Sequence, residues 1–162
     1  MPMSRALRLC PNALVIKPTH GLYSKISKSF MEILGDYTPD VQVMSVDEAY
    51  MDMTGTEGLY GPHEKAAQAI KKRVHDELKV TASIGIAPSR LVAKIASDER
   101  KPDGMFTVAR GDEAAYLAPM PVRKLPGIGP RAAEKLGRLG IHTLGELAAF
   151  PEGPLRREMG NQ

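Results

Sequence analysis

The feature that most constrains the fold is a glycine-bounded turn that leads directly into a helix near the C-terminal end of the sequence. Gly127 and Gly129 stand on either side of Ile128 in the segment LPGIGPRAAEKLGRLGI, residues 125–141. Glycine allows a tight backbone turn, and the start of the following helix presents free N–H groups and a dipole that favours an anion. The segment therefore predicts a turn-helix unit with an anion-binding end.

Three basic side chains accompany this unit and indicate which anion it would bind. Arg131, Lys135 and Arg138 lie on or near the helix, where they would contact phosphates without reading bases. A DNA backbone phosphate fits this arrangement. The alternative is a plain helix-turn-helix packing unit that binds no ligand.

Helical and strand patterns alternate through the preceding residues and predict an α+β fold. Apolar residues recur at the helical period in residues 22–34 and 63–78, and short β-branched runs separate the helices. The predicted helices are Ser4–Cys10, Leu22–Leu34, His63–Leu78, Pro88–Ser97, Asp112–Leu117, Pro130–Leu139 and Leu144–Phe150. The predicted strands are Ala13–Ile16, Val41–Val43, Thr81–Ala87 and Met105–Val108, and Gly55–Pro62 is predicted to be a loop.

A proline-rich stretch marks the change from mixed structure to helices alone. Three prolines fall within residues 118–126, and no strand pattern follows them. We therefore expect residues 1–117 to form the α+β domain and residues 118–162 to form a small helical piece.

Composition excludes several classes of protein. The 162 residues carry a net charge of +3, which permits nucleic-acid binding without implying it. The single cysteine, Cys10, forms no internal disulfide, so a cytoplasmic location is expected rather than a secreted one. No apolar run approaches the roughly 20 residues of a membrane-spanning helix. The four histidines are scattered, which argues against a zinc site.

The densest group of carboxylates lies in the segment SVDEAYMDMTG, residues 45–55. It contains Asp47, Glu48 and Asp52, and hard divalent cations prefer such oxygen ligands. Adjacent acids on a regular strand point to opposite faces, so Asp47 and Glu48 can meet one metal only at a local turn or bulge. The alternative is that the two acids simply close a hairpin.

A second candidate site follows the predicted helix that ends near Ser97. Arg90, Lys94, Arg100 and Lys101 border the end of this helix, where cations stabilise the partial negative charge in any protein. A functional lysine at this place would hold an anionic phosphate group. The alternative is a solvated turn at Lys101.

Taken in order, four segments of the chain closely resemble successive segments of Y-family DNA polymerases, nearest to the bacterial DNA polymerase IV group. Their order, their spacing and the helix lengths between them also match, and the resemblance spans essentially all 162 residues. The four segments are MPMSRALRLCP, YTPDVQVMSVDEAYMDMTG, ASIGIAPSRLVAKIASDERKPDGMFTV and KLPGIGPRAAEKLGRLGI.

The resemblance implies a palm domain, with a mixed or antiparallel sheet backed by helices, that continues into a helical thumb with a helix-hairpin-helix turn. By family comparison, Asp47 and Glu48 would hold Mg²⁺, of which the complete enzyme uses two ions, and Lys101 would contact the nucleotide triphosphate. Asp52 would be structural. The helix-hairpin-helix residues Gly127–Gly129, with Arg131 and Lys135 beside them, would grip DNA.

The implied reaction is DNA-templated addition of deoxynucleoside triphosphates to a primer 3′ end during damage bypass and DNA repair. The implied partners are primer-template DNA, the incoming nucleotide and, for a full-length protein, a sliding clamp. No membrane partner is expected.

By the same comparison, the family's first metal-binding Asp, its aromatic steric gate and its nucleotide clamp precede this sequence. The remainder of the thumb and a little-finger domain follow it. We therefore expect residues 1–162 alone neither to extend a primer nor to hold Mg²⁺ tightly, because two carboxylates fix an octahedral hydrated ion poorly.

Two other functions are compatible with the same sequence. One is a non-catalytic, polymerase-like accessory protein that binds DNA, although the retained Asp47 and Glu48 argue against such decay. The other is an inactive piece whose exposed sheet edge pairs with a second copy.

Overall fold

The computed structural model describes residues 1–17 and 19–160, in which helices alternate with short strands before a helical C-terminal part. The helices are α1 (Met3–Leu9), α2 (His20–Gly35), α3 (Glu57–Tyr60), α4 (His63–Leu78), α5 (Arg90–Ser97), α6 (Glu113–Leu117), α7 (Pro130–Arg138), α8 (Leu144–Ala149) and α9 (Glu152–Met159). The strands are β1 (Val41–Val43), β2 (Ala49–Met51), β3 (Ile84–Ile86) and β4 (Met105–Thr107). This confirms the α+β class.

The main core lies between two long helices and the strands. Ile33 and Leu34 of α2 meet Ile70 and Val74 of α4, and all four are buried. Half-buried residues of β1, β2 and β3 pack against this cluster. The helical period predicted both helices because each carries an apolar stripe along one face, and α4 begins and ends where the sequence pattern places it.

The strands form two separate pairs. β1 and β2 form an antiparallel hairpin in which Gln42 lies opposite Tyr50, whereas β3 and β4 run parallel. Parallel strands require a crossover connection, and α5 supplies it between β3 and β4. The hairpin leaves residues 44–48 as the turn that carries the candidate carboxylates.

Helix α5 lies unusually close to β3. A Cβ added at Gly85, the middle residue of β3, would stand 1.9 Å from the carbonyl oxygen of Ala93 on α5. Only a residue without a side chain permits this approach. The start of α5 is set by Ser89, whose hydroxyl accepts a hydrogen bond from the Val92 N–H at 3.4 Å.

The C-terminal helices have a core of their own. Val122, Leu136 and Ile141 are buried together, and half-buried residues of α8 and α9 pack around them. A single isolated bridge pairs Pro121 with Thr143 and ties the start of this part to the start of α8. The placement of a domain boundary between residues 117 and 118 stays a prediction.

Two local expectations were wrong. Residues 13–16 are not a strand, and Leu14, Val15 and Ile16 are exposed by 84%, 55% and 76%. The reason is that an apolar run becomes a strand only when another strand pairs with it, and no described strand lies beside this run. The predicted loop 55–62 contains the short helix α3. Helix α9 lies beyond the last predicted helix, where the sequence pattern gave no prediction. No described helix has both the length and the apolar character needed to cross a bilayer.

Candidate active site

The turn of the β1–β2 hairpin exposes the adjacent residues Asp47 and Glu48 at the surface. The Glu48 carbonyl oxygen accepts hydrogen bonds from the N–H groups of Met44 and Ser45 at 2.9 and 3.2 Å, which closes the turn. The Ser45 hydroxyl donates to Asp47 Oδ1 at 2.6 Å. Two adjacent acids need a local turn of this kind if both are to contact one ligand. Both Asp47 and Glu48 are exposed to solvent.

The Glu48 carboxylate is held by a lysine from another element. Lys94 of α5 donates from Nζ to Glu48 Oε1, and this ion pair joins α5 to the hairpin turn. The hydrogen bond to Glu48 raises the pKa of Lys94 above its usual value, so the ammonium is firmly charged. One turn earlier on α5, Arg90 donates to the Gln42 side chain on β1. The same helix face therefore fixes both the strand and its turn.

Two carboxylates at one turn are compatible with a magnesium ion whose other ligands come from elsewhere. Mg²⁺ commonly uses one or two protein carboxylates together with substrate phosphates and water. Asp47 and Glu48 supply the two carboxylates, and the described residues contain no group of three or more His, Cys, Asp or Glu that could enclose a metal. A cation at Glu48 would compete with the Lys94 ammonium.

Asp52 belongs to a different local arrangement. Its Oδ1 accepts the Thr54 N–H at 3.0 Å, and its carbonyl accepts the Thr38 hydroxyl at 2.7 Å. Hydrogen bonding from Thr54 holds the pKa of Asp52 below its usual value. Its carboxylate therefore closes the turn that follows β2.

Lys101 lies in the loop between α5 and β4. Its ammonium pairs with Asp98 Oδ1 at 2.6 Å, and half of its side chain is exposed. Asp98 and Lys94 also line a cleft of about 480 Å³ whose opposite wall is residues 123–129. The cleft thus brings the end of α5, next to Lys101, face to face with the glycine-bounded turn.

The glycine-bounded turn has the predicted shape. Gly127 adopts φ +93°, in the left-handed region that favours glycine, and Gly129 caps α7, which begins at Pro130. The Ile128 N–H is used within the turn, where it donates to the Leu125 carbonyl at 3.0 Å. Ile128 also packs its side chain against the C-terminal core.

Three N–H groups at the start of α7 remain available to a ligand. Those of Gly129, Arg131 and Ala132 donate to no acceptor in the part of the chain that the structure describes. The Arg131 guanidinium, likewise, has no ion pair with any described residue, and it is exposed. The start of α7 therefore carries both backbone donors and a positive charge.

The other two basic side chains of α7 are already engaged. Lys135 Nζ donates to the Glu158 carbonyl at 3.1 Å near the end of α9, and Arg138 pairs with Glu134 at 2.7 Å. Of the three predicted phosphate-contacting cations, the structure leaves only Arg131 unengaged among the described residues.

Sequence reasoning missed two contacts: that of Lys94 with Glu48, and that of Lys71 on α4 with Asp103 in the loop that carries Lys101. The two members of the first pair are 46 residues apart and those of the second, Lys71 and Asp103, are 32 apart. The pattern of α4 marks Lys71 only as a residue on the polar face. No local spacing rule points to either contact.

Comparisons with known proteins agree with this arrangement of segments. A family model described as the impB/mucB/samB family matches residues 1–98, and one described as the IMS family HHH motif matches residues 110–141. DNA polymerase IV of Dehalococcoides mccartyi strain BAV1 is 44% identical over 160 residues, which are 99% of this chain and 41% of that protein. DNA polymerase IV of Pseudomonas aeruginosa strain PAO1 is 42% identical over 161 residues, 99% of this chain and 46% of the relative.

Solved structures show the same likeness. A crystal structure of DinB from Sulfolobus solfataricus matches with a TM-score of 0.87 at 29% identity, covering 99% of this chain and 48% of that one. An insertion ternary complex of Dbh DNA polymerase matches with a TM-score of 0.84 at 29% identity, covering 99% and 47%. The chain spans less than half the length of each of these relatives.

Proposed function

Because the chain belongs to the impB/mucB/samB family of Y-family DNA polymerases, we propose that it supplies part of the catalytic and DNA-binding surface of a translesion DNA polymerase. The reaction is addition of deoxynucleotides to a primer 3′ end on a DNA template, in damage bypass and repair. The observation that supports this proposal is the hairpin turn, in which the adjacent residues Asp47 and Glu48 of the segment that resembles the family's acidic motif are both exposed.

In this proposal Asp47 and Glu48 hold Mg²⁺ through their carboxylates. When bound, two such ions assist attack of the primer hydroxyl and stabilise the leaving pyrophosphate. Ser45 orients the Asp47 carboxylate, and Lys94 holds the Glu48 side chain against α5. The Lys101 ammonium leaves Asp98 and places its positive charge beside the nucleotide triphosphate.

The glycine-bounded turn contacts primer-template DNA in the same proposal. The backbone at Gly127, Ile128 and Gly129 approaches a phosphate closely, and Arg131 adds its charge. Lys135 contributes more weakly, because its ammonium is shared with the Glu158 carbonyl. We assign residues 1–117 to the palm and residues 118–162 to the start of the thumb. A sliding clamp as partner and a cytoplasmic location stay predictions from the sequence.

The test is primer extension by a chimera in which this chain replaces the matching 160 residues of the Dehalococcoides mccartyi polymerase. We expect the chimera to extend a primer with Mg²⁺. Loss of a residue that only hydrogen-bonds to a metal ligand costs roughly 10–100-fold in activity. Because Asp47 and Glu48 would be the ligands themselves, Asp47→Ala and Glu48→Ala should each lower kcat by more than this. Asp52→Asn is the matched control, because Asn keeps an oxygen for the Thr54 N–H.

Activity that survives both alanine substitutions would contradict the metal-ligand assignment. A second function has one observation in its favour: Lys94 already neutralises Glu48, as in a purely structural ion pair. In that case the protein is a non-catalytic, DNA-binding accessory protein. A chimera that binds primer-template DNA but shows no extension would support this alternative.

A further inference from the structure

Lys71 reaches from α4 into the loop that carries Lys101. Its ammonium donates to the Ala82 carbonyl at 2.6 Å, to the Asp103 carbonyl at 2.6 Å and to the Asp103 carboxylate. Only 17% of the Lys71 side chain is exposed. A lysine ammonium has three N–H donors, so these three acceptors use all of them. Lys71 has no donor left for a substrate.

The end of this loop is held tightly. Asp103 adopts φ +54°, a left-handed conformation that is uncommon outside glycine. The Gly104 N–H donates to the Ser83 hydroxyl at 3.3 Å, and the Gly104 carbonyl accepts the Ile84 N–H at 3.0 Å. A Cβ on Gly104 would lie 1.8 Å from the Arg100 carbonyl oxygen, so the loop is closed on itself.

Lys101 lies in the same loop, and half of its side chain is exposed. It lies two residues before Asp103, and its ammonium contacts only Asp98 among the described residues. The position from which Lys101 extends therefore depends on where Asp103 is fixed. Lys71 supplies two of the hydrogen bonds that fix Asp103.

We propose that Lys71 is a positioning residue for nucleotide binding: it holds Asp103 and so sets the place from which Lys101 reaches the triphosphate. This inference rests on the proposed function, because it takes Lys101 as the triphosphate contact. Lys71 acts through the loop and touches no substrate. Its removal should weaken triphosphate binding while the carboxylates at Asp47 and Glu48 stay where they are.

The first experiment measures binding of inorganic tripolyphosphate to the 162-residue chain by NMR titration. We expect Lys71→Met to weaken tripolyphosphate binding about 3–10-fold, because a typical hydrogen bond contributes about 1 kcal/mol. Lys101→Ala should weaken it at least as much, and the double variant should be no worse than Lys101→Ala alone, because coupled residues are non-additive. Lys72→Met is the matched control, since Lys72 pairs with Asp76 within α4.

The second experiment separates positioning from a merely structural role. In the chimera, Lys71→Met should raise the KM for the incoming nucleotide by about 3–10-fold with kcat changed less than about twofold. Asp103→Gly serves if Lys71→Met fails to fold, since glycine accepts the positive φ and removes the carboxylate. It should raise KM in the same direction but less, because the backbone carbonyl still accepts from Lys71.

The outcomes distinguish the two ideas. If Lys101→Ala weakens binding and raises KM while Lys71→Met and Asp103→Gly do neither, the positioning role is wrong and the proposed function stands. If Lys101→Ala itself has no effect, the proposed role of Lys101 is wrong, and the role of Lys71 is wrong with it. A double variant whose loss is the product of the single losses would also overturn the inference, because Lys71 would then act independently of Lys101.

Discussion

The ammonium of Lys94 on α5 donates a hydrogen bond to the Glu48 carboxylate on the hairpin turn, across 46 residues of sequence. The two side chains are exposed by 27% and 46%, so the pair is open to solvent on one side. A lysine at this place has two effects. It orients the glutamate, and it competes with any cation that the glutamate would bind.

The competition can be measured with Mn²⁺ as a probe. We expect Lys94→Met to tighten Mn²⁺ binding by about 1.4–5-fold, because an exposed ion pair is worth about 0.2–1 kcal/mol. The measurement is paramagnetic broadening of the amide signals of residues 44–50 in the 162-residue chain. Lys28→Met is the control, since Lys28 pairs with Glu32 on α2. Equal or weaker binding by Lys94→Met would show that Lys94 does not compete for this carboxylate.

The start of α7 predicts an unequal contribution of its cations to DNA binding. Arg131→Ala should reduce the magnitude of the slope of log K for DNA binding against log salt concentration by about 1, as expected for one lost phosphate contact. Lys135→Ala should change the slope less, because its ammonium is engaged with the Glu158 carbonyl. Fluorescence anisotropy with duplex DNA at several salt concentrations gives the slopes. Arg156→Ala, which removes a partner of Glu152 on α9, is the control. Equal slopes for all three variants would argue against a phosphate at this turn.

The close approach of α5 to β3 predicts that Gly85 tolerates no side chain. Gly85→Ala places a Cβ 1.9 Å from a backbone carbonyl oxygen, which must move. We expect the free energy of unfolding to fall by about 3 kcal/mol or more, at or beyond the upper end of the usual overpacking penalty. Urea denaturation followed by circular dichroism measures it. Gly58→Ala is the control, because an added Cβ there meets nothing within 4 Å. Similar stability of the two variants would mean that α5 and β3 separate readily.

The start of α8 predicts a pH-dependent contribution to stability. The Thr143 hydroxyl accepts the Glu146 N–H at 3.2 Å, and the Glu146 carboxylate accepts the N–H groups of His142 and Thr143. These backbone hydrogen bonds hold the pKa of Glu146 below its usual value of 4.5. A carboxyl whose pKa is lowered by folding stabilises the folded state above its unfolded pKa, and this contribution is lost as pH falls through the folded pKa.

Two substitutions test this capping box. Thr143→Ala should lower the free energy of unfolding by about 1 kcal/mol. Glu146→Ala should be less stable than the original chain at pH 7, and this difference should shrink on acidification below pH 4.5. Urea titrations at pH 7 and at successively lower pH measure both effects. A Glu146→Ala deficit that stays constant on acidification would mean that the charged carboxylate does not contribute.

Several elements could be predicted from the sequence because local periodicity and capping decide them. Helix α4 begins at His63 and ends at Leu78 as predicted, since its apolar stripe and the adjacent Pro62 are both local signals. The turn at Gly127 was predictable for the same reason, because a left-handed φ there requires glycine or a strained residue.

Residues 13–16 show where this reasoning fails. Their apolar side chains fit a strand, yet strand formation depends on hydrogen bonds to residues elsewhere in the chain. The short helix α3 was missed because its single turn lies among glycines, which usually mark a loop. In both cases the local pattern was compatible with two structures.

The candidate site shows the same difference between features set by local sequence and contacts set by the tertiary structure. The sequence by itself determined that Asp47 and Glu48 are adjacent, because covalent order is local, but it left open whether they lie on a strand or at a turn. Only the tertiary structure decided that Lys94 meets Glu48 and that Lys71 meets Asp103. Helical spacing shows which face a lysine occupies but not which distant segment packs against that face, and the pairing is set by how α4 and α5 dock on the strands.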